Sequence, residues 1–187
     1  MDPATRSLER LPKALKPITG NEDADAAVAL MLRVVNGELR IIVVKRVENS
    51  NDPLSGQMAL PGGRREPQDQ DLEQTVIRET LEETGINLLD RCRFLGTLET
   101  YRSAVRPGMR IVPFVALVEY EPRVRLNAKE LERFIWVTPR QLVENKGNAE
   151  FSYGRLPVYK IGDDVIWGMT YFILTRFMQL LQDMPSQ

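Results

Sequence analysis

The sequence predicts an α+β fold in which a mixed β-sheet is packed by helices. Three observations lead there. Strand-like and helical patterns are interspersed without the regular strand–helix–strand alternation of a doubly wound parallel sheet. Asn36-Gly37 sits between two apolar runs, the signal of a hairpin with a two-residue turn. The segment 168–183 has the periodicity of an amphipathic helix. With 187 residues the chain is long enough for one domain with a real core. We expect that domain at 23–187, after a lead-in at 1–22.

The lead-in is rich in charge and proline (Pro3, Pro12, Pro17) and reads as loosely packed, with a short helix at 7–15. Strands are expected at 26–35 and 39–46, and the β-branched run Ile41-Ile42-Val43-Val44 marks the second as buried. A polar loop follows at 48–57, with Pro53 and Gly56. A Gly/Pro-rich loop at 58–71 then leads into a helix at 72–84, with Leu72, Val76, Ile77 and Leu81 on its sheet-facing side. Strands are expected at 93–100 and 110–120, then a helical turn at 130–133 before a short strand at 134–137. Thr138-Pro139 has the form of an N-cap followed by proline at the first helical position, opening a helix at 139–144. A loop at 145–154 precedes a hairpin at 156–161 and 164–167. The final helix turns Phe172, Ile173, Phe177 and Leu180 inward, with Trp167, Met169, Tyr171 and Met178 as packing residues.

Composition removes several classes of function. The net charge is −1, from 25 basic and 26 acidic residues, so no global field draws nucleic acid or an anionic membrane. Apolar runs fall short of the roughly 20 residues of a membrane span, and no signal-peptide core is present at the start. The chain has no histidine, which excludes a Ser-His-Asp hydrolase, a His-ligated zinc site and a histidine general base. Acid–base work is left to carboxylates, lysine, tyrosine or metal-bound water. The single cysteine, Cys92, points to a reducing cytoplasm. Arg91 and Arg93 beside it would lower a thiol pKa, yet without a histidine partner it reads as a packed strand-edge residue.

The chemistry concentrates in 60–86, LPGGRREPQDQDLEQTVIRETLEETGI. A Pro-Gly-Gly turn precedes a helix carrying Arg78, Glu79, Glu82 and Glu83, and Gly85 closes it. The glutamates stand at i, i+3 and i+4, one sector roughly 100° wide. Like charges so placed repel, costing about 0.2–0.5 kcal/mol for the Glu79/Glu83 pair. A hard divalent cation, which takes carboxylate oxygens, gives the stripe a purpose. A merely solvated helix face would require neither the glycine turn before it nor the Gly-Ile exit after it.

Gly63…Arg78-Glu79-x-x-Glu82-Glu83-x-Gly85-Ile86 resembles the box of the Nudix pyrophosphohydrolases, G-x5-E-x7-R-E-U-x-E-E-x-G-U with U aliphatic. The loop is one residue longer than the pattern, Gln70 replaces its mid-loop glutamate between Asp69 and Asp71, and Thr80 stands at an aliphatic position. The resemblance implies an α/β/α sandwich around the mixed sheet. It implies Mg²⁺ or Mn²⁺ held by Glu79, Glu82, Glu83 and a backbone carbonyl at Gly63, with Arg78 orienting a neighbouring glutamate. An acid from outside the box, Glu99 or Glu130, would assist the water. Arg64, Arg65 and Arg102, with Arg106 and Arg110, are the basic residues expected to take the phosphates of a nucleotide diphosphate, since a guanidinium makes paired hydrogen bonds to phosphate. A homodimer is compatible with this reading.

Two further stretches are similar to the coenzyme A diphosphatase branch of that family. One is Gly56-Gln57-x-Ala59-Leu60-Pro61-Gly62-Gly63; the other is Leu156-Pro157-Val158-Tyr159 with Ile166-Trp167-Gly168-Met169-Thr170. Tyr153, Tyr159 and Trp167 offer flat faces for a groove. The branch's arginine pattern is only partly kept: Asp52 stands where its second arginine would fall, and Arg46 is one residue out of step. ADP-ribose, other nucleoside diphosphate derivatives and nucleoside triphosphates remain alternatives, as does a non-catalytic binding module.

Overall fold

The apolar and β-branched residues of 26–46 build the centre of a sheet, and the rest of the chain is laid against its two faces. The structure, a computed structural model, describes residues 3–51, 54–152 and 154–184. Asp52, Pro53 and Tyr153 lie outside the described residues. Helix α1 (Pro3–Ala14) leads into β1 (Ala26–Val35) and β2 (Glu38–Arg46), then β3 (Met58–Ala59) and β4 (Gly62–Arg64). Helix α2 (Leu72–Thr84) precedes β5 (Cys92–Thr97), β6 (Tyr101–Arg102), β7 (Arg110–Val118) and β8 (Leu131–Val137). Helix α3 (Pro139–Glu144), strands β9 (Lys146–Phe151), β10 (Gly154–Ile161) and β11 (Asp164–Ile166), and helix α4 (Gly168–Asp183) complete the order.

Eight strands form one mixed sheet in the order β3-β2-β1-β7-β5, with β4 beside β1, β6 beside β7 and β8 beside β2. The β1–β7 pair is parallel and the rest antiparallel. Asn36 and Gly37 both have positive φ, 52° and 76°, the two-residue turn that the β1–β2 hairpin needs. Alternate residues divide between two cores. Ala29, Met31, Ile42 and Phe114 pack toward α2 through Leu72 and Val76. Leu30, Leu32, Ile41, Val43 and Val115 face the other side, with residues of α1, α3 and α4. The α/β/α sandwich is therefore observed, with the small sheet β9–β10–β11 as an addition to it.

Several local expectations are corrected. The lead-in is not loosely packed: Leu8, Leu11 and Leu15, at helical spacing, are buried, and Lys16 pairs with Thr97 of β5. Residues 131–133 are strand, because they pair with the end of β2. The loop expected at 145–154 contains β9, which gains its strand geometry by pairing with β10. Leu81 and Phe172 face outward, at 46% and 54% exposure, while Tyr171 and Leu174 take up the inward face of α4. Burial, acting with Asp90 and Glu119, raises the Cys92 thiol to about 11, overriding the lowering expected from its arginine neighbours.

Candidate active site

Helix α2 presents the box residues, and both of its ends are fixed. The Asp71 carboxylate accepts the Gln74 N–H at 2.8 Å as N-cap. Gly85, at φ 71°, donates its N–H to the Leu81 carbonyl in the left-handed closing turn. The glycine turn pairs directly with the sheet: Gly62 lies opposite Val28 and Gly63 opposite Ala27. A Cβ on Gly62 would come 2.2 Å from the Ala27 carbonyl oxygen, and one on Gly63 would come 2.5 Å from the Glu79 carboxyl. Glycine is required at both for the turn to approach strand and carboxylate so closely.

The acids of the box have unequal surroundings. Glu83 is only 3% exposed and accepts the Gly62 N–H at 2.8 Å. Burial, partly opposed by that hydrogen bond, raises it to about 7. Glu79 is half-buried and likewise shifted upward by burial. Glu82 is exposed, 3.5 Å from Arg78. Arg78 is indeed tied to a neighbouring glutamate, at 2.9 Å from Glu79. Its fuller partner is Asp69, which accepts from both Nε (3.1 Å) and Nη2 (2.8 Å). Asp69 is buried, accepts also from Thr75 and the Glu66 N–H, and is held well below the usual carboxylate range by Arg78. It takes over the loop position where Gln70 departs from the pattern. Counted forward from Gly63, the G-x5-E spacing falls on Asp69, whereas counting back from Arg78 falls on Gln70.

Glu79 and Glu83 line a cavity of about 340 Å³ together with Gly62, Gly63 and Glu130. Glu99 does not join them; it pairs with Arg176 at 3.2 Å and accepts from Tyr101. Of the expected arginines, Arg64 and Arg106 line the cavity. Arg65 instead closes its own loop onto the Asp69 and Gln70 carbonyls, and Arg110 pairs with Asp23 and Asp25. Arg102 is exposed on β6 and does not line the cavity. Arg46 does line it, although its place one residue out of step had argued against it. The same cavity has apolar lining from Leu54, Met109, Ile111, Trp167, Met169 and Ile173. Trp167 is half-buried there and packs on Phe151, whereas Tyr159 is core, hydrogen-bonded to Thr175.

The donors suit a hard divalent cation: carboxylates on one helix face, with backbone carbonyls of a glycine turn close beside them. The room a Cβ on Gly63 would take is filled by the Glu79 carboxyl, so the glycine turn passes directly against one of these donors. As they stand, Glu79 is drawn to Arg78 and Glu83 to the Gly62 N–H, and among the described residues no three acidic side chains already enclose an ion. Carboxylate rotation is what binding would require.

Comparisons with known proteins agree with this geometry. The chain belongs to the Nudix family: the NUDIX domain matches residues 24–157. A Caenorhabditis elegans relative, peroxisomal coenzyme A diphosphatase ndx-8, is 31% identical over 138 residues, 72% of this chain. This chain spans only 57% of that relative's length. Human mitochondrial coenzyme A diphosphatase NUDT8 is 29% identical over 167 residues, covering 84% of this chain and 70% of that protein. Among solved structures, a C. elegans Ap4A hydrolase complex shares the fold with a TM-score of 0.59 at 18% identity, over 84% of this chain and 98% of that one. The NUDIX domain of Shewanella oneidensis NrtR, complexed with ADP ribose, matches with a TM-score of 0.51 at 25% identity, over 64% of this chain and 75% of that one. Hydrolases of this family use divalent metal ions. Among the described residues no helix is long and apolar enough to cross a membrane.

Proposed function

We propose that this chain is a Mg²⁺- or Mn²⁺-dependent pyrophosphohydrolase that cleaves the diphosphate linkage of coenzyme A or a related nucleotide derivative. One observation carries the reading: Glu79, Glu83 and Glu130 share one cavity with three arginines, Arg46, Arg64 and Arg106, and with apolar lining residues. The chemistry supplied by a bound divalent cation is neutralisation of the diphosphate and acidification of the attacking water. Glu79, Glu82 and Glu83, with a carbonyl at Gly63, would hold it. Arg78, fixed by Asp69, holds Glu79 beside the site by one hydrogen bond, from which its carboxylate would turn to the ion. Glu130 would accept a hydrogen bond from the water and orient it. Arg46, Arg64 and Arg106 suit the phosphate oxygens. Coenzyme A differs from ADP-ribose in its 3′-phosphate and long pantetheine arm, and the Trp167–Met169–Ile173 wall gives that arm an apolar bed.

The names of the two coenzyme A diphosphatase relatives support this substrate. The catalytic unit in this proposal is 23–187, with 1–22 as its lead-in and α1 packed against the core through Leu8 and Leu11. A cytoplasmic setting is part of the same reading, on the strength of the unpaired Cys92. The test is kcat/KM for coenzyme A, dephospho-coenzyme A and ADP-ribose, with and without Mg²⁺. Coenzyme A is expected to be preferred, with turnover lost on chelation. A tenfold preference for ADP-ribose would discard the coenzyme A assignment and keep the metal chemistry; no turnover of these three or of a wider panel of nucleoside diphosphate derivatives and nucleoside triphosphates would favour a binding module.

A further inference from the structure

Between β7 and β8 the chain crosses the C-terminal end of α2, where the last helical carbonyls lack partners within the helix. Arg125 donates its N–H to the Thr84 carbonyl at 2.8 Å, and Asn127 donates its N–H to the Glu83 carbonyl at 2.9 Å. Asn127 then closes a turn: its carbonyl accepts the N–H groups of Glu130 (2.9 Å) and Leu131 (2.8 Å). On the far side, the Glu130 carbonyl accepts the Val47 N–H at 2.9 Å, next to Arg46. The main chain of Glu130 is thus held between the end of α2 and the end of β2. Its side chain is held by the same asparagine, whose Nδ2 donates to Glu130 Oε1 at 2.8 Å.

We infer that Asn127 is a positioning residue that sets the Glu130 carboxylate at a fixed place relative to the glutamates of α2. The inference rests on the proposed role of Glu130. The amide suits the task because its two ends do different work. Oδ1 accepts the Lys129 N–H at 3.2 Å, which keeps the turn, while Nδ2 grips Oε1, one of the two carboxylate oxygens. A glutamate has several rotatable bonds and Glu130 is exposed, so without that grip its carboxylate samples many positions. A displacement of about 1 Å in a reacting group is enough to cost on the order of 10² in rate.

Aspartate separates positioning from mere turn formation. Asn127→Asp retains an acceptor for the Lys129 N–H and every main-chain bond, but replaces the donor to Glu130 with a like charge. The experiment compares Asn127→Ala, Asn127→Asp, Glu130→Gln and the Asn127→Ala/Glu130→Gln double variant, on whichever of coenzyme A or ADP-ribose is turned over. It reads kcat, KM, melting temperature and Mn²⁺ affinity by electron paramagnetic resonance. Both single changes at Asn127 are expected to lower kcat about tenfold or more, with KM and Mn²⁺ affinity within about twofold of wild type. The double variant should be no slower than Glu130→Gln alone, since a residue acting through Glu130 has nothing left to position. Wild-type kcat in Asn127→Asp, or losses that add to those of Glu130→Gln, would overturn the inference while leaving Glu130 in its role. Wild-type kcat in Glu130→Gln would instead remove the proposed role of Glu130, and the inference with it.

Discussion

Glu83 carries a cost built into its position, because burial favours its proton while the proposed chemistry needs its charge. Its pKa rises from an ordinary 4.5 to about 7 in the folded chain. Between those values the folded protein retains a proton that the unfolded chain has released, so stability falls as pH rises through that window. In chelator, the melting temperature is therefore expected to fall from about pH 5 to pH 7.5. Glu83→Gln should flatten that slope and melt higher than wild type at pH 8, while losing on the order of 10² or more in kcat. Exposed Glu82→Gln should lose activity without moving the melting temperature. Near-wild-type activity in both variants would end the reading of the stripe as a metal site. Asp69 works with the opposite sign in a separate window. Its pKa lies below the usual 3.8, so its contribution is complete above that value and disappears only in stronger acid.

At the scale of elements, the docking of α1 is an energetic claim that one substitution tests. Leu11 is fully buried, so Leu11→Ala should cost about 2–5 kcal/mol in denaturant unfolding. A loss under about 0.5 kcal/mol, typical of exposed sites, would mean that the lead-in does not contribute to the core. Elements with strong local signals were legible in the sequence. Asn36-Gly37 specified the hairpin, Thr138-Pro139 the start of α3, and the box the whole of α2. Strand β9 was not, because Lys-Gly-Asn-Ala-Glu-Phe lacks β-branched residues and takes its form from β10. The inward face of α4 was drawn one residue off at Phe172, since periodicity gives a stripe but not where a neighbouring strand meets it. The box glutamates were legible because they are close in sequence. Asp69 was legible counting forward from Gly63, but the extra loop residue shifts the count back from Arg78 onto Gln70; the reach of Arg78 selects Asp69. Glu130 over Glu99 was not legible, because that choice is made by the chain crossing α2.

For the molecule as a whole, ion binding and folding are linked. A ligand that binds only the folded state stabilises it by about 2.7 kcal/mol at 100 times its Kd. Saturating Mn²⁺ should therefore raise the melting temperature of the wild type, with the largest gain near pH 8, where the buried Glu83 is charged. A gain that is the same in Glu79→Gln and Glu83→Gln would place the bound ion elsewhere. The parallel pairing of β1 with β7 has its own consequence, felt on the ribosome. β1 is a central strand, and its partner β7 is translated only after the whole of α2 and β5. At about 5–20 residues per second, the Ala-Ala-Val-Ala-Leu-Met-Leu run waits several seconds with one edge of its hairpin unsealed. Nascent chains stalled before 110 should bind a holdase chaperone, and release it once 110–118 have cleared the exit tunnel.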